Sequence, residues 1–466
     1  MQRPESRKGG LSVVLYDPSA RGGICHHTYH LAESLARSGC AVTLLTGDDY
    51  ELRHLPRRFV LSVFSKPSWI RAIGLALSWG RQSSPSDRAA DRGPAGARRI
   101  AQAAGKAPAR RDALRRLRLR LLLLRAAARI VRSRSRVVHT QWITYGEEDV
   151  RFLRLLKRLG VRTVYTAHDL LPNDAPQPGD RELFAKIYRL VDQIVVFDES
   201  NRQELVRSFG IEAGRVSVIP NGSDGLLFPE PSQESARAEL GIPRDRRVIL
   251  FFGHIKRYKG LEYLIEAFDR VRETVDNALL LVAGHISRRD PAQFEYYSGL
   301  VAALRTRKDA VCAAEYIPMS RVGVYLAASD VVVLPYVQTY HSAVLMMAYA
   351  AGKPVVVTDT GGLAEAVEDG KTGFVVPPRD ADALADRIAA VLTLPDRGRA
   401  MGERARELSK TVYSWSAVAE KTAALYRRLL EPGRAVRKEE ASKPRALSSV
   451  PRVDGGAQAR AKTRSL

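Results

Sequence analysis

A short basic turn between an apolar strand and a helix is the part of this sequence best suited to chemistry. The segment FFGHIKRYKG (Phe251–Gly260) starts in a predicted strand and leads into a helix from about Leu261. It carries four cationic or imidazole side chains, which are His254, Lys256, Arg257 and Lys259. Backbone N–H groups at a helix N-terminus bind anions, and mobile cations follow negative charge as it develops. The turn therefore predicts a site for a nucleotide diphosphate, acting as a leaving group.

A second glycine-bearing block, residues 334–378, repeats the pattern of strand, turn and helix. Ser342, Ala343 and Val344 fall in the first turn of a predicted helix, so the Ser342 hydroxyl and the backbone N–H groups should face the diphosphate. Gly361 and Gly362 are predicted to open the next helix and to do likewise. Glu365 would then favour the first turn of that helix through the helix dipole.

Strand and helix patterns alternate along both halves of the chain. Strand-like apolar runs lie at residues 11–16, 41–46, 137–140, 162–167 and 193–197 in the first half, and RVILFF, ALLLVAG, DVVVLPY and KPVVVT follow in the second. Gly22 and Gly23 separate the first strand from its helix, where they fit either a tight turn or a ligand-binding loop. We predict two Rossmann-like, doubly wound α/β domains facing a cleft.

The domain boundaries follow from composition and periodicity. Residues 1–222 form a first domain with a basic, low-complexity insertion at 66–135, and residues 223–412 form a second domain. An amphipathic helix is predicted in residues 413–431. The lysine- and arginine-rich tail, residues 432–466, lacks apolar periodicity and is predicted to be disordered.

These blocks resemble glycosyltransferase family 4, a GT-B group of retaining enzymes that use sugar nucleotides. The resemblance covers roughly residues 10–60 and 137–430, and it is carried by the basic turn, TAHD, IPNG, A-x-G-x-P as AAGKP, TGG..E, DGKTGF and YSW. It implies a GT-B fold in which the last helix crosses back to the first domain. It is specific for the fold and the broad chemistry, and not for the donor or the acceptor.

The resemblance also assigns roles to residues. It implies that Lys259 meets the donor diphosphate, that His168 contacts the transferred sugar, and that Gly22 and Gly23 lie near the donor phosphates or the acceptor. His254 stands where most relatives have arginine, and Lys256 or Arg257 could supply the missing cation. Two glutamates common in the family are replaced, by Thr339 and Met347, so the means of holding the ribose is open.

Two patterns could suggest a metal, and we expect none. His26, His27 and His30 put two imidazoles on one helical face, but no carboxylate accompanies them. Asp380-Ala-Asp382 precedes a helical pattern, where an N-cap is the simpler interpretation. The resemblance likewise implies metal-independent catalysis, with the sugar nucleotide as co-substrate and no other cofactor.

The formal charge of +23 favours anionic partners such as phospholipid headgroups, nucleic acid or phosphorylated substrates. Residues 110–136 hold eleven arginines against the single acid Asp112, interleaved with leucines. This segment fits either a helix lying on an anionic membrane or a helix packed on the first domain with solvated arginines. No specific nucleic acid is expected, since no RNA-binding motif or recognition helix is evident.

Three cysteines without paired spacing, and the absence of a signal-like start, favour a cytoplasmic protein, with a peripheral membrane location open. The favoured function is a retaining, metal-independent glycosyltransferase acting on a polysaccharide, glycolipid or lipid-linked acceptor. Two alternatives stay open. One is a catalytically impaired GT-B scaffold that binds sugar nucleotides, and the other is a basic nucleic-acid-binding protein.

Overall fold

The computed structural model describes residues 10–64, 107–172, 177–223, 230–288 and 290–431, with only the backbone for 107–115. The first domain has the strands β1 (Ser12–Asp17), β2 (Ala41–Gly47), β3 (Val60–Phe64), β4 (Val137–Thr140), β5 (Arg162–Thr166), β6 (Gln193–Val196) and β7 (Val216–Val218). Its helices are α1 (Gly22–Arg37), α2 (Ala107–Arg132), α3 (Glu147–Arg158), α4 (Asp180–Leu190) and α5 (Glu199–Phe209).

The second domain has the strands β8 (Arg247–Phe252), β9 (Ala278–Ala283), β10 (Ala310–Ala313), β11 (Val331–Leu334), β12 (Val355–Thr358) and β13 (Gly373–Val376). Its helices are α6 (Gln233–Glu239), α7 (Leu261–Thr274), α8 (Pro291–Arg305), α9 (Met319–Ala328), α10 (Ala343–Ala350), α11 (Ala381–Thr393) and α12 (Pro395–Lys410). The last helix is α13 (Trp415–Leu430).

Each domain is built on one parallel sheet. The first sheet has the order β3-β2-β1-β4-β5-β6-β7, and the second has the order β10-β9-β8-β11-β12-β13. The strands are rich in valine, isoleucine and leucine because helices cover both faces of each sheet. The direction of winding reverses between β1 and β4 and between β8 and β11, and ligands bind at the carboxyl ends of such strand pairs. The predicted pair of Rossmann-like domains is confirmed.

Part of the predicted basic insertion is helix α2, which packs on the first domain, one of the two interpretations given for residues 110–136. Residues 107–132 are helical, and Leu119, Leu122 and Leu123 pack with Val14 and Val138 under the first sheet. An apolar face repeating at helical spacing is buried there, so this part of the chain belongs to the first domain's helical layer. The basic tail, residues 432–466, and the rest of the insertion, residues 66–106, lie outside the described residues.

Helix α13 packs in the core of the first domain, although it follows the second domain in sequence. Trp415 and Val418 share a buried cluster with Val13 and Leu15 of β1. The Tyr426 hydroxyl lies 2.6 Å from Nδ1 of His139 in β4. The chain therefore crosses between the domains twice. Among the described residues, no helix is both long enough and apolar enough to cross a bilayer.

Candidate active site

The basic turn lies at the carboxyl end of β8, next to β11, where the second sheet reverses its winding. Gly260 has a φ of +66°, and a Cβ there would come within 2.0 Å of the Pro335 carbonyl oxygen. Only glycine permits this approach. The backbone N–H of Val337 donates to the Tyr258 carbonyl at 2.8 Å, which ties the turn to the loop after β11. The turn is thus held rigidly at the preferred ligand position of the fold.

Two of the four predicted cationic groups act electrostatically on one carboxylate of the first domain. Burial raises the pKa of Asp169 to about 6, and the positive charges of Lys259 and Lys256 oppose that rise. The Lys259 ammonium lies 3.6 Å from the centre of the Tyr336 ring. A cation held on an aromatic face is weakly bound compared with one on a phosphate, so this ammonium can turn toward an arriving anion.

The other two predicted groups, His254 and Arg257, contact His285 and the start of α8. The exposed His254 ring packs edge-on against His285, with ring centres 4.2 Å apart. Arg257 is exposed, and its backbone N–H donates to Gln293 at the start of α8 at 3.4 Å. The pKa of Asp290 is lowered, chiefly by hydrogen bonds from Gln293 and also by Arg257. Arg257 therefore faces α8, whereas Lys256 and Lys259 face the cleft.

His168 follows β5 and is buried where the two domains meet. Its ring centre lies 4.8 Å from that of His27, 5.2 Å from Phe197 and 6.0 Å from His341 of the second domain. Burial, followed by the nearby imidazoles, holds the pKa of His168 well below its usual range. Within the described part of the chain its Nε2 atom has no hydrogen-bond partner. A neutral imidazole with one free nitrogen can bind a sugar hydroxyl.

The side chains of His341 and His27 belong to the same cluster. His341 forms a hydrogen bond with the backbone of His168, and burial lowers its pKa to about 3. Nδ1 of His27 lies 2.9 Å from Oδ1 of Asn221, and its ring packs against Trp415. Sequence reasoning missed both roles, because it assigned residue 341 only to a helix turn and weighed His27 only as a metal ligand. The signal available was the position of His341 in the loop that follows β11, whose carboxyl end lies at the cleft.

Helix α10 begins beside the basic turn. Val344 lies 3.5 Å from the position that a Cβ of Gly253 would occupy. Ser342 is the N-cap, since its hydroxyl accepts a 3.4 Å hydrogen bond from the backbone N–H of Leu345 and also contacts Tyr336. The backbone N–H groups of Ala343 and Val344 fall in the first turn, which has no intrahelical acceptors. The start of α10 thus adds backbone donors next to Lys259.

The N-terminus of α1 is arranged differently. Gly22 has a φ of +75°, and its backbone N–H donates to the Glu51 carboxylate at 3.0 Å. Apart from the adjoining residues and the backbone of α1 itself, no described atom lies within 4 Å of where a Cβ of Gly22 or Gly23 would be. The two glycines therefore border open space, and the Gly22 backbone N–H is already hydrogen-bonded to the Glu51 carboxylate.

Gly361 and Gly362 do not open an α-helix, and this part of the prediction is wrong. They form a three-residue 3-10 turn with Leu363. A Cβ on Gly361 would lie 2.0 Å from the Thr339 carbonyl oxygen, and one on Gly362 would lie 2.0 Å from the Asp198 carboxylate. Close packing, including packing against the first domain, is what requires glycine at these two positions.

Glu365 also has a different role from the one predicted. Its carboxylate accepts hydrogen bonds from the backbone N–H groups of Glu199 and Ser200, at 2.9 and 2.7 Å. These residues open α5 in the first domain, so Glu365 caps a helix of the opposite domain. Asp380, in contrast, is confirmed as an N-cap, accepting from the Ala383 backbone at 2.9 Å.

Comparison with known families identifies both halves of the chain. A family model described as Glycosyltransferase Family 4 matches residues 21–224, and one described as Glycosyl transferases group 1 matches residues 214–408. D-inositol 3-phosphate glycosyltransferase 2 of Catenulispora acidiphila is 30% identical over 297 residues, or 61% of this chain and 69% of that protein. Alpha-maltose-1-phosphate synthase of Mycolicibacterium smegmatis is 30% identical over 291 residues, or 58% of this chain and 74% of that protein.

Solved structures give the same fold. A glycosyltransferase of Rickettsia africae aligns with a TM-score of 0.65 at 18% identity, covering 91% of this chain and all of that one. Anabaena HepE, solved in complex with UDP-glucose, aligns with a TM-score of 0.64 at 16% identity, covering 90% of this chain and all of that one. The two family models match the two domains in turn, and the Catenulispora relative is 30% identical over 69% of its length. This chain therefore belongs to glycosyltransferase family 4 and is a glycosyltransferase of the GT-B fold.

Proposed function

We propose that this enzyme transfers a sugar from a nucleoside-diphospho-sugar with retention of anomeric configuration and without a metal. The observation that carries the proposal is the convergence of Lys256, Lys259 and the start of α10 at the β8–β11 reversal, opposite His168. Cations and backbone donors on one wall suit a diphosphate. A neutral imidazole on the other wall suits the sugar attached to it.

In the proposed reaction the bond between the anomeric carbon and the phosphate oxygen breaks while a bond to the acceptor oxygen forms on the same face. The acceptor hydroxyl gives its proton to the departing phosphate oxygen. Lys259 leaves the Tyr336 ring and neutralises the charge that develops on the diphosphate, assisted by Lys256. The free Nε2 of His168 holds a hydroxyl of the transferred sugar. Burial lowers the pKa of His168, which favours the neutral imidazole for this role.

The names of similar proteins suggest which ligands to test first. HepE of Anabaena has been solved with UDP and with UDP-glucose. The relatives in Catenulispora and Mycolicibacterium are named for D-inositol 3-phosphate and for maltose 1-phosphate. We therefore propose a uridine nucleotide as the first donor to try. A polysaccharide, glycolipid or lipid-linked sugar is the proposed acceptor.

A non-catalytic scaffold is the second candidate, because the two glutamates expected from the family are replaced. Thr339 is buried, and its hydroxyl donates to the His341 carbonyl at 2.8 Å. Met347 packs against the core of the second domain. Neither side chain can accept two ribose hydroxyls as a carboxylate does. Nucleotide binding without sugar transfer or donor hydrolysis would favour the scaffold.

We also propose that the enzyme works at an anionic membrane surface. On α2, Leu117, Leu121, Leu124 and Val131 are 53%, 48%, 52% and 47% exposed. Their spacing places them in one stripe, opposite the face buried against the sheet. Exposed arginines, including Arg118 and Arg125, flank this stripe. An apolar ridge bordered by guanidinium groups fits the boundary between lipid headgroups and acyl chains.

Replacing the lysine at the diphosphate tests the enzymatic proposal. Lys259→Ala should lower the rate of sugar transfer by about 100-fold or more, while the far-UV circular dichroism spectrum is unchanged. Arg257→Ala is the matched control, because Arg257 lies in the same turn but faces α8. Equal turnover in Lys259→Ala and the wild type would overturn the proposal.

A further inference from the structure

A cavity of about 360 Å³ lies at the amino ends of three strands of the second sheet. Arg247 begins β8, Asp330 directly precedes β11 and Pro354 directly precedes β12, and all three line the cavity. The basic turn lies at the opposite end of β8, which is six residues or roughly 20 Å long. A ligand bound here would therefore leave the donor cleft open. We call this space the amino-end cavity.

Positively charged side chains predominate in the walls of the amino-end cavity. Its ionisable lining residues are Arg247, Lys353, Arg399 and Arg406, against Asp330 and Glu403. The charge of Asp330 is already compensated, because its carboxylate accepts hydrogen bonds from the buried Arg237 and from the Val248 backbone N–H, both at 2.7 Å. The cavity therefore carries an excess of positive charge, which favours an anionic ligand.

The guanidinium groups in these walls are able to bind such an anion. Within the described ranges, the partly buried Arg247 side chain has no ion-pair or hydrogen-bond partner. Arg399 and Arg406 pair with Asp396 and Glu230, whose side chains are 90% and 55% exposed. Solvent-exposed ion pairs contribute only about 0–1 kcal/mol, so both arginines can exchange these carboxylates for a ligand at little cost.

Lys353 adds a partly buried ammonium, in the turn between α10 and β12. Its Nζ atom donates to the carbonyls of Ala327 and Ser329 at 3.1 and 2.8 Å. An ammonium carries three donors, so these two bonds leave one for a ligand. Burial lowers the pKa of Lys353 to about 8, and a bound anion would stabilise the protonated form.

The remaining walls suit a small sugar. Val391 and Leu392 offer apolar surface to the C–H groups of a ring, and the Glu403 carboxylate can accept hydrogen bonds from hydroxyl groups. Small-molecule sites have volumes of roughly 300–1,000 Å³, and this cavity lies at the lower end of that range. Its size and lining together fit one sugar ring that carries a phosphate.

We infer that the amino-end cavity binds a phosphorylated monosaccharide, with its phosphate held by Arg247 and Lys353. This ligand is neither the donor nor the acceptor of the proposed reaction, because the cavity lies at the opposite end of the sheet from the cleft. The inference therefore stands or falls independently of the proposed transferase function.

Calorimetric titration of the full chain tests this inference. The probes are glucose 6-phosphate, glucose 1-phosphate and fructose 6-phosphate, with glucose and inorganic phosphate for comparison. At least one sugar phosphate should bind at least tenfold more tightly than either comparison compound. Arg247→Gln and Lys353→Met should each weaken that binding at least tenfold. Arg244→Gln is the matched control, since Arg244 is 79% exposed and pairs with Glu234 outside the cavity.

Lys259→Ala separates the amino-end cavity from the donor cleft, and sugar-phosphate binding should be unchanged in it. Loss of binding in that variant would place the ligand in the cleft and overturn the inference. The inference also fails if no sugar phosphate binds the wild type, if inorganic phosphate binds as tightly as all three, or if Arg247→Gln binds like the wild type. Nucleotide binding is titrated separately, so a failed donor site is recognised by the loss of that signal alone.

Discussion

Gly362 of the second domain approaches Asp198 of the first so closely that a Cβ at residue 362 would lie 2.0 Å from the carboxylate oxygen. The next contact along this loop is the capping of α5 by Glu365. Burial raises the pKa of Asp198 to about 7. The two domains are therefore fitted to each other through a backbone position that tolerates no side chain.

Adding one methyl group should disturb this fit. Gly362→Ala forces the loop and Asp198 apart, and overpacking of this kind costs roughly 1–3 kcal/mol. We expect sugar transfer to fall at least tenfold, because Lys259 and His168 lie on opposite domains. Steady-state kinetics measure the loss, and small-angle scattering detects the opening of the domains.

Gly299→Ala is the control for that experiment. Gly299 is an exposed residue of α8, and apart from the adjoining residues and the backbone of α8 no described atom lies within 4 Å of its Cβ position. Alanine there should stabilise the helix by up to about 1 kcal/mol and leave transfer unchanged. If Gly362→Ala keeps full activity and the wild-type scattering profile, the proposed fit between the domains is wrong.

Acid should destabilise the first domain through His27. Burial lowers the pKa of His27 to about 4, against about 6.5 in the unfolded chain. The unfolded chain therefore binds more protons in this window. The contribution of neutral His27 to the free energy of unfolding is complete above pH ~6.5 and is lost as the pH falls toward ~4. Between about pH 7.5 and pH 5 this loss should amount to about 2 kcal/mol.

Urea unfolding of the wild type and His27→Asn at both pH values isolates this contribution. Burial raises the pKa values of Asp149 and Asp198 to about 7, so these two residues increase the free energy of unfolding as the pH falls. Both residues are present in the wild type and in the variant, so their effect cancels when the two proteins are compared. His27→Asn should lose about 2 kcal/mol less than the wild type on acidification. His54→Asn, at an exposed histidine, is the matched control. A pH dependence in His27→Asn equal to that of the wild type would refute the assignment.

The apolar stripe of α2 should control binding to anionic vesicles. Replacing Leu117, Leu121 and Leu124 by serine removes the ridge without touching the buried face, so vesicle affinity should fall at least tenfold. Sedimentation with phosphatidylglycerol-containing vesicles measures it, and added salt should weaken wild-type binding because the arginines contribute.

The control for the stripe variant replaces two leucines of similar exposure that lie outside α2. Leu159 and Leu394 are 48% and 51% exposed and lie outside α2. The double variant Leu159→Ser, Leu394→Ser should bind vesicles as the wild type does. The membrane proposal fails if the stripe variant sediments like the wild type, or if both variants lose binding equally.

Local patterns were enough to predict the fold. Apolar strand-length runs followed by glycine turns and helical periodicity repeat in both halves, and these signals depend only on neighbours in sequence. The N-cap at Asp380 was predictable for the same reason. The placement of Lys259 needed the resemblance as well, since a basic turn alone does not say which cation faces the cleft.

What the sequence did not reveal depends on contacts between distant segments. From the local sequence Glu365 was predicted to favour the first turn of a helix that begins at Gly361, yet it caps α5 of the other domain. The pairing of His341 with His168 joins positions far apart in sequence, as does the packing of Gly362 on Asp198. In α2 the leucines were visible, but which of them the sheet would bury depends on the position of the helix in space.

Calorimetric titration with UDP, GDP, ADP and TDP, on the wild type, Lys259→Ala and Arg257→Ala, tests the central claim most directly. We predict that one nucleotide binds the wild type and Arg257→Ala alike and that Lys259→Ala binds it at least tenfold more weakly. Equal affinity in Lys259→Ala, or no binding of any of the four to the wild type, would contradict a donor site at the β8–β11 reversal.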